Sequence, residues 1–424
     1  MDHDLRPGWS YRKLNELGFV GRGKSRNRPR NDPSLYGGPY PFFQTGDVKA
    51  ADLYLWNYSQ TYNEKGLAQS KLWEPGTLCI TIAANIAESA ILKIRACFPD
   101  SIVGFVADPE KTDVRFVKYA IDTMKLRMQS ISRGTTQDNL SLDKLLTFEI
   151  PTPPLPTQRK IAAILSAYDD LIENNARRIR LLEEMARLLY REWFVRFHFP
   201  GHASVRLVDS SLGPIPEGWE VKSLGDIAQD VRRGIKPDEV ERDTPYVGLE
   251  HLPRKSIALS EWGTAQDATS TKLAFREGEI LFGKIRPYFH KVVVAPIDGI
   301  CSTDTIVMVP KTPDYFPVVL ACVSSEPFVE YASQTSQGTK MPRADWKVLA
   351  KYPVAIPPRD ILLRFNSIIQ DSVAQIFNLI HRNRNLRRTR DLLLPRLVAG
   401  AVNVSSLDIA VDYIGGAIHA HRDP

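Results

Sequence analysis

Residues 157–197 constrain the fold more than any other stretch, because their apolar positions advance in alternating steps of four and three. Ile161, Leu165, Tyr168, Ile172, Asn175, Ile179, Leu182, Ala186, Leu189 and Trp193 form a heptad seam in which Asn175 is the one amide. The other faces carry Arg159, Lys160, Asp169, Asp170, Glu173, Arg177, Arg178, Arg180, Glu183, Glu184 and Arg187. A helix over this stretch is a rod of roughly 60 Å at about 1.5 Å per residue. A rod that long and exposed is unstable alone and needs a partner helix.

The partner lies in the same chain. An offset of 204 residues converts the seam into Phe365, Ile369, Ser372, Ile376, Leu379, Asn383, Leu386, Arg390, Leu393 and Leu397. At the same offset Gly134-Thr135 becomes Gly338-Thr339, and Pro153-Pro154 becomes Pro357-Pro358. A globule followed by a long helix is therefore written twice. The expected fold is mixed α/β: two α+β domains joined by two long antiparallel coiled-coil helices, in a pseudo-two-fold repeat. The boundaries read as a first globule over 1–156, a helix over 157–198, a second globule over 199–358, a helix over 359–400 and a tail over 401–424.

The antiparallel sense follows from chain connectivity. The second globule starts where the first helix ends and finishes where the second begins, so the second helix runs back along the first, giving a dumbbell. If the helices meet centre to centre, Asn175 faces Asn383, Ile179 faces Leu379, Leu182 faces Ile376, Ala186 faces Ser372 and Trp193 faces Phe365. A paired amide layer fixes register at some cost in stability. The interface residues are then Ile161, Leu165, Ile172, Asn175, Ile179, Leu182 and Leu189 with Ile369, Ile376, Leu379, Asn383, Leu386 and Leu393.

The net charge of +6 and pI near 9.0 are moderately basic, and the basic residues cluster. Arg22, Lys24, Arg26, Arg28 and Arg30 sit in one loop; Arg382, Arg384, Arg387, Arg388 and Arg390 sit on the second helix. Each cluster is either a solvated face or a phosphate-binding surface, and their recurrence in both halves favours nucleic acid. The cysteines at 79, 97, 301 and 322 have neither metal-ligand spacing nor a disulfide pattern, and read as buried thiols. No apolar run reaches membrane-spanning length and the first residues carry no signal-peptide pattern, so a cytoplasmic protein without membrane association is expected.

Within each globule similar segments recur. Gly8-Trp9 and Gly218-Trp219 open the halves, followed by short strands at 11–14 and 221–224. Arg22-Gly23-Lys24 is answered by Arg233-Gly234, and a strand at 40–43 by Pro245-Tyr246-Val247. A turn and buried strand at 74–80 is answered at 276–282. Helices are expected at 113–128 and 317–333.

Catalytic patterns are weak. Gly18-Phe19-Val20-Gly21-Arg22-Gly23-Lys24-Ser25 matches a phosphate-binding P-loop formally, but that loop needs a helix directly after Lys-Ser. Here Arg26-Asn27-Arg28-Pro29-Arg30-Asn31-Asp32-Pro33 follows, with two prolines and no apolar period. No G-x-G-x-x-G follows a strand. Ile356-Pro357-Pro358-Arg359 lacks the flanking residues of an adenine-methylation motif. Glu220, Lys222 and Asp304 make a poor nuclease set, and His198, His202, His251 and His290 lack metal-ligand spacing.

Polar loops at matching places are the DNA-reading candidates. They are Arg22, Lys24 and Arg26; Arg133, Thr135 and Gln137; Arg233 and Lys236; Lys284, Arg286 and Tyr288; and Gln337, Thr339, Lys340 and Arg343. Arg and Gln can bond base edges bidentately, and Thr can contact a thymine methyl. Any one of these residues reads first as part of an ordinary surface turn, and it is the loops taken together that favour DNA contact.

At this point the chain resembles a specificity subunit of type I restriction-modification systems, over nearly its whole length. The resemblance is carried by Pro153-Pro154-Leu155-Pro156-x-Gln158-x-x-Ile161-Ala162-x-x-Leu165 at the long-helix start. Leu212-Gly213-x-Ile215-Pro216-x-Gly218-Trp219, Pro75-Gly76-Thr77-Leu78, Ala84-Asn85-Ile86 and Ile280-Leu281-Phe282-x-Lys284-Ile285-Arg286-Pro287-Tyr288 add to it. The second repeat departs at Arg359-Asp360-Ile361 and at Arg390 in its seam. The resemblance implies two target-recognition domains, each reading half of a split site in double-stranded DNA, with the helices as a ruler. It also implies docking of two modification subunits, which methylate adenine with S-adenosylmethionine, and of restriction subunits, which use ATP and Mg. No cofactor is expected in this chain, and no catalysis by it. A methylation-only system lacking a restriction subunit is the alternative within the family. An NTPase or nuclease, or a coiled-coil adaptor without a DNA role, are the alternatives outside it.

Overall fold

The protein is described by a computed structural model covering residues 6–132, 140–267 and 270–410. It forms two compact units. Unit one comprises Met1–Glu173 with Leu386–Pro424, and unit two comprises Asn174–Asn385. The long helices α1, Leu155–Tyr190, and α2, Arg359–Val398, each contribute residues to both. Pro156 lies in the first turn of α1, where a missing N–H leaves no bond unmade. A π-helical turn, Arg191–Val195, extends α1.

The two units share strand order. In unit one a five-stranded sheet runs Gly18–Arg22, Ile102–Ala107, Leu78–Thr81, Ser89–Leu92, Tyr54–Leu55. Its counterpart in unit two runs Ala228–Asp230, Thr305–Pro310, Ile280–Gly283, Val292–Val294. A second sheet runs Gln60–Tyr62, Tyr36–Phe42, Ala96–Cys97, Leu72–Trp73 in unit one. Unit two answers with Gly263–Thr264, Pro245–Val247, Gly299–Cys301, Lys272–Phe275, and adds Arg233–Ile235 at the edge. In both, a strand near the start of the globule pairs antiparallel with the strand leading into the long helix: Ser10 opposite Thr152, and Glu220 opposite Ile356. Each central strand, Leu78–Thr81 or Ile280–Gly283, is buried on both faces, which suits its uninterrupted apolar run.

The helix expected over 317–333 is two helices, Phe316–Val323 and Glu326–Gln334. The break is local: the Ser325 hydroxyl accepts from the Phe328 N–H, and Pro327 suits a first turn but not a helix interior. Unit one keeps a single helix there, Val114–Ser132.

Every seam position of α1 and α2 is buried or half-buried. In unit one Ile161, Leu165 and Ile172 are buried; Ile161 and Leu165 share a core with Leu393 and Leu397. In unit two Ile179 and Leu182 cluster with Ile376 and Leu379, and the Trp193 ring lies 5.9 Å from that of Phe365. Residue numbers fall along one helix as they rise along the other, so the pairing is antiparallel in each unit. Asn175 donates to Asn383 at 2.8 Å, which is the register reached by pairing the helix centres.

Two carboxylates assigned to the outer faces of α1 are buried instead. Asp169, in unit one, pairs with Arg390 and accepts from the Tyr119 hydroxyl at 2.5 Å. Glu183, in unit two, accepts from the Ser256 hydroxyl at 2.6 Å and from the N–H groups of Ile257 and Ala258 at 2.7 and 3.2 Å. Neither position faces water: Asp169 is matched by Arg390 of α2 and by Tyr119 of the globule, and Glu183 by donors that the globule supplies.

Candidate nucleic-acid interface

In unit two the structure gathers two segments that lie some fifty residues apart in sequence. The turn after strand Ile280–Gly283 and the loop 337–343 are tied by main-chain bonds. Arg286 N–H donates to Pro342 O at 2.8 Å, and Ala344 N–H to Lys284 O at 3.0 Å. Gln337 and Arg343 exchange N–H···O bonds at 3.0 and 2.9 Å, and Arg343 also bridges to Ile285. Seven of the DNA-reading candidates therefore share one surface: Lys284, Arg286, Tyr288, Gln337, Thr339, Lys340 and Arg343. Tyr288, Gln337, Thr339, Lys340 and Arg343 are exposed.

The cations there are positioned by acceptors below them. Lys284 Nζ donates to Thr303 O at 2.6 Å, and Arg343 Nε reaches Asp304 at 3.4 Å. Burial, then the neighbouring charge of Arg232, pull the Lys284 ammonium below the ordinary lysine range. Asp230 is pushed the other way, up from the usual carboxylate range, by burial first; its Oδ1 is buried without a hydrogen-bond partner.

Arg233 and Lys236 are placed differently. Arg233 forms a fork to Glu279 at 2.8 and 2.7 Å, which occupies its guanidinium. Lys236 is exposed and caps the short turn Pro237–Glu239 through its main chain.

Strand pairing revises the match between the halves. Val20 opposes Phe105 in unit one, and Asp230 opposes Met308 in unit two. The strand positions two residues later are Arg22 and Arg232, so Arg22 corresponds to Arg232 and not to Arg233. Sequence comparison missed this because it matched the Arg-Gly dipeptide; Arg232 is exposed and has no ion pair among the described residues.

In unit one, Arg22 and Arg26 are exposed and Lys24 is half-exposed. The loop backbone is held by Gln69, whose Oε1 accepts from Arg26 N–H at 2.6 Å and Asn27 N–H at 3.0 Å. Arg28 and Arg30 are exposed but bonded within the protein, Arg28 to the carbonyls of Ser25 and Asn27 and Arg30 to Asp100 at 2.6 Å. No helix follows Ser25, which is buried against Tyr62, so the P-loop pattern has no phosphate-cradling helix. Arg133, Thr135 and Gln137 lie outside the described residues.

Among the described residues no three His, Cys, Asp or Glu side chains converge as metal ligands, and no helix is long and apolar enough to cross a membrane. Burial raises the thiols, Cys301 and Cys322 to about 12.

Known proteins share this sequence pattern and this fold. The family model described as the type I restriction modification DNA specificity domain matches residues 7–184. The specificity subunit of the type I restriction enzyme MjaIX from Methanocaldococcus jannaschii is 27% identical over 417 residues, covering 94% of each chain. That of EcoDI from Escherichia coli is 22% identical, covering 90% of this chain and 86% of its own. The crystal structure of a type I restriction-modification S subunit from M. genitalium matches with a TM-score of 0.60 at 16% identity, covering 94% of this chain and 97% of that one. That last likeness is one of fold.

Proposed function

We propose that the chain is a type I restriction-modification DNA specificity subunit, which the family match over residues 7–184 and the relatives 27% and 22% identical along most of its length support, and that it reads a split, asymmetric site in duplex DNA, one half-site per unit. It holds two modification subunits and, with them, restriction subunits. Catalysis resides in those partners, as do S-adenosylmethionine, ATP and Mg.

The surface built from the 284–288 turn and the 337–343 loop supports this reading most strongly. It presents cations, an amide, a hydroxyl and an aromatic ring on a backbone fixed by main-chain bonds, which suits both phosphate positioning and base-edge contacts. Equivalent strand frames with different loop side chains support half-sites that differ. Leu181, Met185 and Leu188 on α1 are exposed apolar residues, suited to a partner subunit.

Duplex binding tests the reading. The full chain, co-purified with its modification subunit, is titrated with its methylated-motif duplex across a salt series. Binding should weaken steeply with salt. Replacing Arg22, Lys24 and Arg26 by Ala should weaken binding to all sequences and lower the log–log salt slope by about 0.9 for each phosphate no longer neutralised. An unchanged slope would remove that loop from the DNA surface. Absence of duplex binding by the wild-type complex would overturn the function.

A further inference from the structure

The two units build related turns, one residue longer in unit two, and mount different side chains at the same place on the way in. Between strands Leu78–Thr81 and Ser89–Leu92, Ala84 and Ala87 take left-handed φ values of 62° and 61°. Between Ile280–Gly283 and Val292–Val294, Arg286 and His290 take 50° and 52°. The registers coincide. Ile80 opposes Ser89 as Phe282 opposes Val292, and the carbonyls two residues before Ala84 and Arg286 accept from Leu140 N–H at 2.9 Å and Ala344 N–H at 3.0 Å. Non-glycine residues at positive φ are uncommon and persist where surrounding structure imposes them. Here the backbone is common to both units from the incoming strand to the first left-handed position, which is Ala84 in one and Arg286 in the other.

Arg286 also has donors to spare. Its Nε is buried with no partner, and its Nη2 finds Lys340 O only at 3.5 Å, beyond the usual range. By contrast, Arg233 in the same unit closes a fork on Glu279 at 2.8 and 2.7 Å. The Arg286 main chain is fixed by Pro342, and its guanidinium lies 5.9 Å from the Phe289 ring centre. The buried Nε cannot itself reach a ligand, so it is the planar Nη1–Nη2 edge, with only a long contact to Lys340 O, that can take an acceptor from outside. Guanine offers a matched pair, O6 and N7, on its major-groove edge; no other base does.

We infer that Arg286 is a specificity-determining residue that selects a guanine in the half-site read by unit two, and that Ala84, at the same place in unit one, makes no such selection. The inference rests on the DNA-reading function proposed above.

The test is selection from a randomised duplex library by the full chain co-purified with its modification subunit, followed by sequencing. The wild type should enrich a split sequence with a G·C pair at one position that responds to Arg286. Arg286→Ala, which installs the side chain unit one carries there, should reduce preference at that position alone. The expected reduction is about 5- to 150-fold, corresponding to about 1–3 kcal/mol. Arg286→Lys keeps the charge without the fork, and should lose the same preference at near wild-type overall affinity. It serves as a second variant should the alanine protein fold poorly. Equal weakening on every sequence with a shallower salt dependence would make Arg286 a phosphate contact and overturn the inference. So would a split sequence whose base preferences are untouched by both variants. A wild-type complex that enriches no split sequence would overturn the DNA reading itself, and this inference with it.

Discussion

Unit one and unit two hold matching positions of the long helices with different chemistry. In unit one Gln158 is buried and makes four hydrogen bonds. It accepts from the Thr112 hydroxyl at 2.7 Å and Asp113 N–H at 3.2 Å, and donates to Lys111 O at 3.1 Å and Pro153 O at 2.9 Å. Asp169 joins Tyr119 to Arg390, which also reaches Asp391 at 2.9 Å. Burial, then the Asp169 carboxylate, holds the Tyr119 hydroxyl protonated, far above the ordinary tyrosine range. At the offset of 204, Gln158, Asp169, Tyr119 and Arg390 become Leu362, Val373, Val323 and Ala186. Unit two relies on aromatic packing instead: Phe194 lies 4.7 Å from Phe365 and 5.4 Å from Trp219. A polar contact comes one turn later in α2, where Asn366 donates to Asp314 O at 2.7 Å. Repetition has kept the backbone register while the side chains that hold it have diverged. At these positions directional hydrogen bonds serve unit one and non-directional apolar burial unit two, which keeps its own directional anchor farther along α1, where Glu183 is held by Ser256, Ile257 and Ala258.

The largest effect is expected at the buried ion pair. Asp169→Val should destabilise unit one by about 3–5 kcal/mol, because Arg390 loses its buried counter-charge. Adding Tyr119→Phe and Arg390→Leu should recover most of that loss, because an apolar set like that of unit two needs no partners. Chemical denaturation of the single and triple variants beside the wild type measures this, and a triple variant as weak as the single one would break the equivalence. Next in size, Gln158→Leu, which copies unit two, should cost about 2–4 kcal/mol, since it strands Thr112 and three main-chain groups. A loss below about 1 kcal/mol would mean that those groups find other partners. Smaller again is the amide layer in unit two. Asn175→Leu alone should cost about 1–3 kcal/mol by stranding Asn383, whereas the double Leu variant should be close to neutral but less strict in register. Thermal melting gives the first number. Cysteine crosslinking between neighbouring α1 and α2 layers gives the second, with extra crosslinked registers expected only in the double variant.

What was legible in the sequence follows the range of the signal. The seam repeats every seven residues and recurs 204 residues later, so the pairing of Asn175 with Asn383 could be read from spacing alone. The buried strands after Pro75-Gly76 and Glu277-Gly278 were legible for the same reason: turn residues followed by an unbroken apolar run. The burial of Asp169 and Glu183 was not, because a carboxylate off the seam looks solvated until the globule that covers it is known. The Arg22–Arg232 correspondence was hidden by loops of unequal length, and only strand pairing reveals it. The interface in unit two was half legible. Its residue types were visible in two separate loops, but their union depends on hydrogen bonds between segments far apart in sequence. The spare donors of Arg286 carry no sequence signature, since Arg233 looks the same in one dimension and is fully engaged in three.

A single-molecule methylome of cells with and without this gene most directly tests the proposal that two like-framed, differently faced units read one split site. The account predicts loss of one adenine-methylation motif made of two different half-sites separated by a fixed gap. Loss of a continuous motif, of a palindromic one, or of none while the modification subunit is expressed and co-purifies with this chain, would contradict it.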